Sequence, residues 1–157
     1  MNETKNNPYS YSRRFVLEKY ADRISHSSAG LFVAVSRSAI TPASELALTK
    51  TAESLGYGSD GVTFVSLMPA AEASSQLAPQ DLFELLEGLD PICIIACDVE
   101  SSSACAACYR VDLPDRSRIK SLGRTICAFD DLEALVSDSA RKRNAWAILR
   151  TIPRFPS

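Results

Sequence analysis

Four short, largely apolar stretches divide the chain, and helical periodicities fall between them. The stretches are Leu31 to Val35, Val62 to Leu67, Pro91 to Cys97 and Thr125 to Phe129. Each is too short for a buried helix and carries β-branched residues, which predicts a strand covered on both faces. Before the first stretch, Leu17, Tyr20, Ala21 and Ile24 recur at i, i+3, i+4 and i+7 and predict a helix from about Ser12. The polar break at Ser25 to Gly30 ends it.

Thr41-Pro42 opens the next helix, with Thr41 as N-cap and Pro42 at the first helical position. Leu46, Leu48, Ala52 and Leu55 populate it, and Gly56 and Gly58 stop it. Ala70 to Gln76 reads as a loop. A helix from Pro79 presents Leu82, Leu85, Leu86 and Leu89, and a short helix of small residues covers Ser101 to Tyr109. Asp112 to Lys120 is charged, holds Pro114 and reads as a surface connection. The last helix is expected from about Ser137 to Ile152, with Ala140, Trp146, Ala147 and Leu149 inward and Pro153 and Pro156 beyond its end.

Strands alternating with helices need crossover connections, so the sheet should be mostly parallel. The expected architecture is one three-layer α/β/α domain over residues 29–157. It holds a four-stranded, mostly parallel sheet and is preceded by an N-terminal tail and helix over 1–28. At 157 residues, 46% hydrophobic and 23% charged, the chain has the composition of a single globular domain. No apolar run reaches the roughly 18–20 residues of a membrane-spanning helix.

Net charge is −2, but unevenly spread. Residues 1–40 carry +3, residues 41–109 carry −9 and residues 110–157 carry +4. An overall basic footprint for nucleic acid is absent. Five cysteines, most of them inside apolar segments, read as reduced, buried thiols and place the protein in the cytoplasm. Ser12-Arg13-Arg14-Phe15 resembles a twin-arginine signal, but Glu18, Lys19, Asp22 and Arg23 follow instead of an apolar stretch, which argues against export.

Ligands of open parallel sheets bind past the carboxyl ends of the strands. Those ends carry Ser36, Arg37 and Ser38, then Asp98, then Asp130 and Asp131. Aspartates there are expected to cap the helices that follow, with Arg37 pairing with one of them. The alternative is an enzyme that uses the three carboxylates to hold Mg²⁺ or as general acid/base groups. No glycine-rich phosphate loop occurs, and His26 stands in a polar break with no partner nearby in sequence. Cys105-Ala106-Ala107-Cys108 is a C-x-x-C without a second pair to complete a zinc site, and reads as buried small residues. Arg141, Lys142, Arg143 and Arg150, with Arg154 beyond, form a basic helical run that could meet phosphates weakly or simply face solvent.

The closing segment Leu135-Val136-Ser137-Asp138-Ser139-Ala140-Arg141-Lys142-Arg143-Asn144-Ala145-Trp146 resembles that of the uracil-DNA glycosylase superfamily, especially its bacterial and archaeal iron–sulfur branch. There a leucine pair, an Asn-Pro-like turn and a Lys-Arg…Trp helix follow the last strand. Leu31 to Val35, Leu46 to Leu67 and Pro91 to Asp98 are similar to that family's first three strands and first helix, so the likeness spans roughly residues 29–152.

The family's working residues do not carry over. Its water-activating Gly-Glu-x-Pro-Gly would fall on Ala34-Val35-Ser36-Arg37-Ser38, with Val35 where the water is placed. Its His-Pro-Ser would fall on Asp130-Asp131-Leu132, where an ionised aspartate repels charge developing on the base. No cysteine precedes Cys93, so the iron–sulfur ligands are missing too. The resemblance therefore implies the fold without the activity. The psi subunit of the bacterial polymerase III clamp-loader complex uses that fold without catalysis to link protein partners. The expectation is a non-catalytic protein-interaction domain with an unidentified protein partner, no cofactor, no resident metal and at most weak nucleic-acid binding.

Overall fold

In the computed structural model, residues 8–25, 31–58, 61–68 and 76–153 are described. The first seven residues, residues 26–30 with His26, residues 59–60, residues 69–75 with Pro69, and residues 154–157 with Arg154 and Pro156 lie outside them. The elements in chain order are α1 (Pro8–Lys19), a 3₁₀ turn (Ala21–Arg23), β1 (Ile24–Ser25), β2 (Phe32–Ser36), α2 (Pro42–Ser54) and β3 (Val62–Ser66). Then come α3 (Pro79–Leu89), β4 (Cys93–Ala96), α4 (Val99–Tyr109), β5 (Ser117–Ser121), β6 (Arg124–Ala128), α5 (Leu132–Ser137) and α6 (Ser139–Leu149).

The strands form one sheet in the order β1-β3-β2-β4-β6-β5. The four apolar stretches are its parallel centre, paired β3-β2, β2-β4 and β4-β6. Both faces are covered. Val33, Val35, Val65, Ile94, Ala96, Ile126 and Ala128 pack under α1, α3 and α4. The alternate residues Phe32, Ala34, Phe64, Cys93, Ile95 and Cys127 pack under α2, α5 and α6. Period-2 alternation thus divides each strand between two cores, which is why the strands are apolar throughout. Each fully buried Leu or Ile contributes roughly 1.5–3 kcal/mol through removal from water.

The sheet has six strands, not four. β5 occupies the segment expected to be a surface connection and pairs antiparallel with β6, Ile119 opposite Ile126. It was hidden because an edge strand needs only one inward residue: Arg118 and Lys120 are exposed, and such charges also guard an edge against further pairing. β1 is a two-residue antiparallel addition at the opposite edge, Ile24 opposite Val65.

The final helix starts at Ser139, and a separate helix, α5, precedes it where none was expected. Asp138 is extended (φ −114°, ψ 113°) and accepts the Arg141 backbone N–H on Oδ1 at 3.3 Å, so it ends α5 and caps α6. The inward face of α6 is Ala145, Ile148 and Leu149, continued by Ile152, while Trp146 and Ala147 are exposed. The same shift affects two other helices. Leu46 on α2 is exposed, and the buried pair of the first helical segment is Val16 and Tyr20 rather than Leu17 and Ala21. On α1, Lys19 Nζ lies 2.8 Å from Glu84 Oε1 on α3, and Tyr20 donates its hydroxyl to the same oxygen at 2.6 Å.

Local signals place the starts of α2 and α3 well, whereas α1 starts at Pro8, four residues before the expected Ser12. Thr41 Oγ1 accepts the Ser44 N–H at 3.3 Å, with Pro42 next to it. After α2, Tyr57 stacks edge-on against Phe32 at 5.5 Å and donates its hydroxyl to the Pro153 carbonyl at 2.7 Å. A Cβ on Gly61 would meet the Tyr57 carbonyl oxygen at 2.3 Å, so this return into β3 requires glycine.

Candidate functional site

The chain leaves β2 for β3 on one side of the sheet and leaves β4 for β6 on the other. The carboxyl ends of β2 and β4 therefore flank a topological switch point, where open α/β sheets bind ligands. All six residues expected at the crevice lie along this rim. Ser36 is buried and Asp98 half-buried, while Arg37, Ser38, Asp130 and Asp131 are exposed.

Backbone groups occupy two of the three expected carboxylates, those of Asp98 and Asp131. Asp98 caps α4: its Oδ1 accepts the Ser101 N–H at 2.8 Å, and the Ser101 hydroxyl accepts the Asp98 N–H at 3.1 Å, a capping box. Its Oδ2 accepts the Arg37 backbone N–H at 2.8 Å, so one carboxylate spans the switch point. Asp131 caps α5 by accepting the Ala134 N–H on Oδ1 at 3.0 Å. The backbones of Asp98 and Asp131 pair as an antiparallel bridge. The Asp130 N–H donates to Asp115 Oδ1 at 2.8 Å, and the Ser36 hydroxyl donates to the Ser38 carbonyl at 2.6 Å.

The expected Arg37–carboxylate ion pair does not form. Arg37 meets Asp98 through its main chain, and among the described residues its guanidinium makes no ion pair. Among those residues, no three His, Cys, Asp or Glu side chains group as a metal site.

All five cysteines are free thiols. Cys105 and Cys108 lie on α4, the first buried and the second half-buried, and the Cys108 thiol donates to the Cys105 carbonyl at 3.5 Å. Burial pushes both thiols up, Cys108 to about 12, so neither supplies a thiolate at neutral pH.

Sequence reasoning passed over a charge cluster around a buried arginine at the opposite ends of the strands. Arg124, 8% exposed, opens β6. Its Nε and Nη2 bind the two oxygens of Glu87 at 2.7 and 2.8 Å, and its Nη1 lies 3.0 Å from Asp90 Oδ1 and donates to the Pro91 carbonyl. Tyr109 adds its hydroxyl to Glu87 Oε2 at 2.7 Å. Burial pushes the Glu87 carboxyl up, but the hydrogen bonds from Arg124 and Tyr109 outweigh it and hold the group below its ordinary range. The cluster joins α3, α4 and β6 and is structural in character. Its sequence signal was a glutamate placed among Leu85, Leu86 and Leu89.

Two concavities stand out away from the switch point. One, of about 530 Å³, lies beside the C-terminal end of α4 and is lined by Phe83, Cys108, Tyr109, Arg110 and Leu122. The other, of about 330 Å³, is an apolar groove between α2, α5 and α6. Its floor is Leu48, Leu132, Val136, Ala145 and Leu149, and Lys50, Lys142 and Trp146 stand on its rim. All four residues of the basic run are exposed. Helical spacing sets Arg143 three before Trp146 and Arg150 four after it, on the Trp146 side of the helix. Arg141 stands apart from that group.

No family model matches this chain, and no curated protein matches it.

Proposed function

We propose that this chain is a non-catalytic, cytosolic protein-interaction domain on a degenerate uracil-DNA glycosylase-like fold. The observation that carries the reading is the state of the switch-point carboxylates. Asp98 directs both oxygens to backbone N–H groups and Asp131 caps α5, so these groups hold the rim together. Val35, which the resemblance sets where a catalytic water would be placed, is fully buried and has no polar side-chain atom. A base-excising site needs a placed water and a donor for the departing base. Exposed Trp146 beside an apolar groove, with Arg143 and Arg150 on its side of the helix, has instead the composition of a protein contact. Buried thiols that are not paired with one another fit a reducing compartment.

The test is affinity isolation of the full chain from native lysate, followed by reconstitution of the complex from purified components. A stoichiometric, reconstitutable partner is expected. Recovery only as a partner-free monomer across salt conditions overturns the reading. Uracil release from single- or double-stranded DNA is expected to be absent. Robust release abolished by Asp130→Ala would establish catalysis instead.

A further inference from the structure

The groove between α2, α5 and α6 has a shape and charge that select one kind of occupant. Its walls are helices, and its lining recurs at helical spacing: Lys142, Ala145, Trp146 and Leu149 on α6, and Ala47, Lys50, Thr51 and Ser54 on α2. Each set spans about two turns, so roughly 10 Å of groove lies between them. The floor is aliphatic and the volume is about 330 Å³, room for a few large apolar side chains.

The rim is positive. Lys50 and Lys142 are the charged residues of the lining, and no carboxylate joins them. Arg143 and Arg150 extend the same sign beyond Trp146. Leu46, 55% exposed, stands one turn before Lys50 and lengthens the apolar strip. Trp146, 38% exposed, is the kind of large amphipathic side chain on which binding energy concentrates.

We propose that this groove receives an acidic amphipathic helix of a partner protein. The inference rests on the interaction-domain reading and gives it a surface and a ligand class. Leucine or phenylalanine side chains at i, i+3, i+4 and i+7 of the incoming helix fill the floor, and flanking glutamates or aspartates face the lysines. A nucleic-acid strand fits less well, because an aliphatic floor offers phosphates and base edges nothing to bond.

Trp146 is the only tryptophan in the chain, so its emission reports on the groove directly. The probe is a synthetic helical peptide with leucines at i, i+3, i+4 and i+7 and glutamates beside them. It is compared with the same peptide carrying lysines for glutamates, and with oligothymidine. The acidic peptide is expected to shift Trp146 emission to the blue, with binding weakening as salt rises. The double variant Lys50→Glu/Lys142→Glu changes two exposed side chains, so circular dichroism and Tm should stay as in the parent. It is expected to lose affinity at least about tenfold, which is 1.4 kcal/mol.

No emission change up to about 1 mM acidic peptide, the weak end of specific affinity, overturns the proposal. So does equal binding of the lysine peptide, or a response to oligothymidine alone. Isolation with the double variant separates the two readings. Undiminished recovery of the reconstitutable partner removes the groove proposal and leaves the interaction domain standing.

Discussion

The Asp98 carboxylate joins two strand ends: one oxygen caps α4, and the other accepts the Arg37 backbone N–H at 2.8 Å across the sheet's switch point. Asp98→Ala removes a cap and this tie together. It is expected to cost about 1–2 kcal/mol, mostly from the cap. Chemical denaturation should show a lower midpoint with an unchanged slope. A variant as stable as the parent would mean that neither contact persists in solution.

The Arg124–Glu87 pair gives the stability a pH dependence with a definite sign. Glu87 is held below its ordinary pKa of 4.5 in the folded protein. Its contribution is therefore fully present above about 4.5, the value regained on unfolding, and is lost as pH falls through the lower folded pKa. Glu87→Gln should flatten the acid limb of a stability–pH curve. Arg124→Met leaves Glu87 half-buried without its main partner, and because water still reaches that carboxylate the loss should be about 1–3 kcal/mol. Unfolding curves from pH 3 to pH 7 check both.

Thiol reactivity should be low. Cys93, Cys97, Cys105 and Cys127 are buried, and Cys108 is half-buried with its thiol pushed up to about 12 by burial. A colorimetric thiol titration of the native protein near pH 8 should detect at most Cys108, slowly, and all five after denaturation. Rapid formation of a Cys105–Cys108 disulfide under mild oxidant would contradict the packing of α4.

The β5–β6 hairpin turns through Leu122-Gly123, both at positive φ, 51° and 78°. A two-residue turn with both central φ values positive favours asparagine followed by glycine. Leucine in the left-handed region costs about 1–2 kcal/mol, and Leu122 recovers little by burial because it is 67% exposed. Leu122→Asn is expected to stabilise the protein by about 0.5–1 kcal/mol, a rise in Tm of roughly 1–4 °C. A fall in Tm would show that the Leu122 side chain makes a stabilising contact with the rim of the neighbouring 530 Å³ concavity.

The sequence by itself determined the parallel centre of the sheet and most of the helix starts. Each central strand is buried on two faces and so reads as a continuous apolar run. A cap is a contact between residues three apart, so Thr41 and Asp98 announce α2 and α4 locally. Only the tertiary structure decided the rest. β5 is a strand because β6 pairs with it, not because its own residues are apolar. Arg37 and Asp98 are 61 residues apart and meet only because β2 and β4 become neighbours. The inward face of α6, Ala145, Ile148, Leu149 and Ile152, recurs at i, i+3, i+4 and i+7 and so lay within reach of the sequence; the packing of α6 leaves Trp146 off that face and exposed. Local patterning encodes what a segment buries; long-range pairing decides which segments meet, and with them the switch-point tie and the groove.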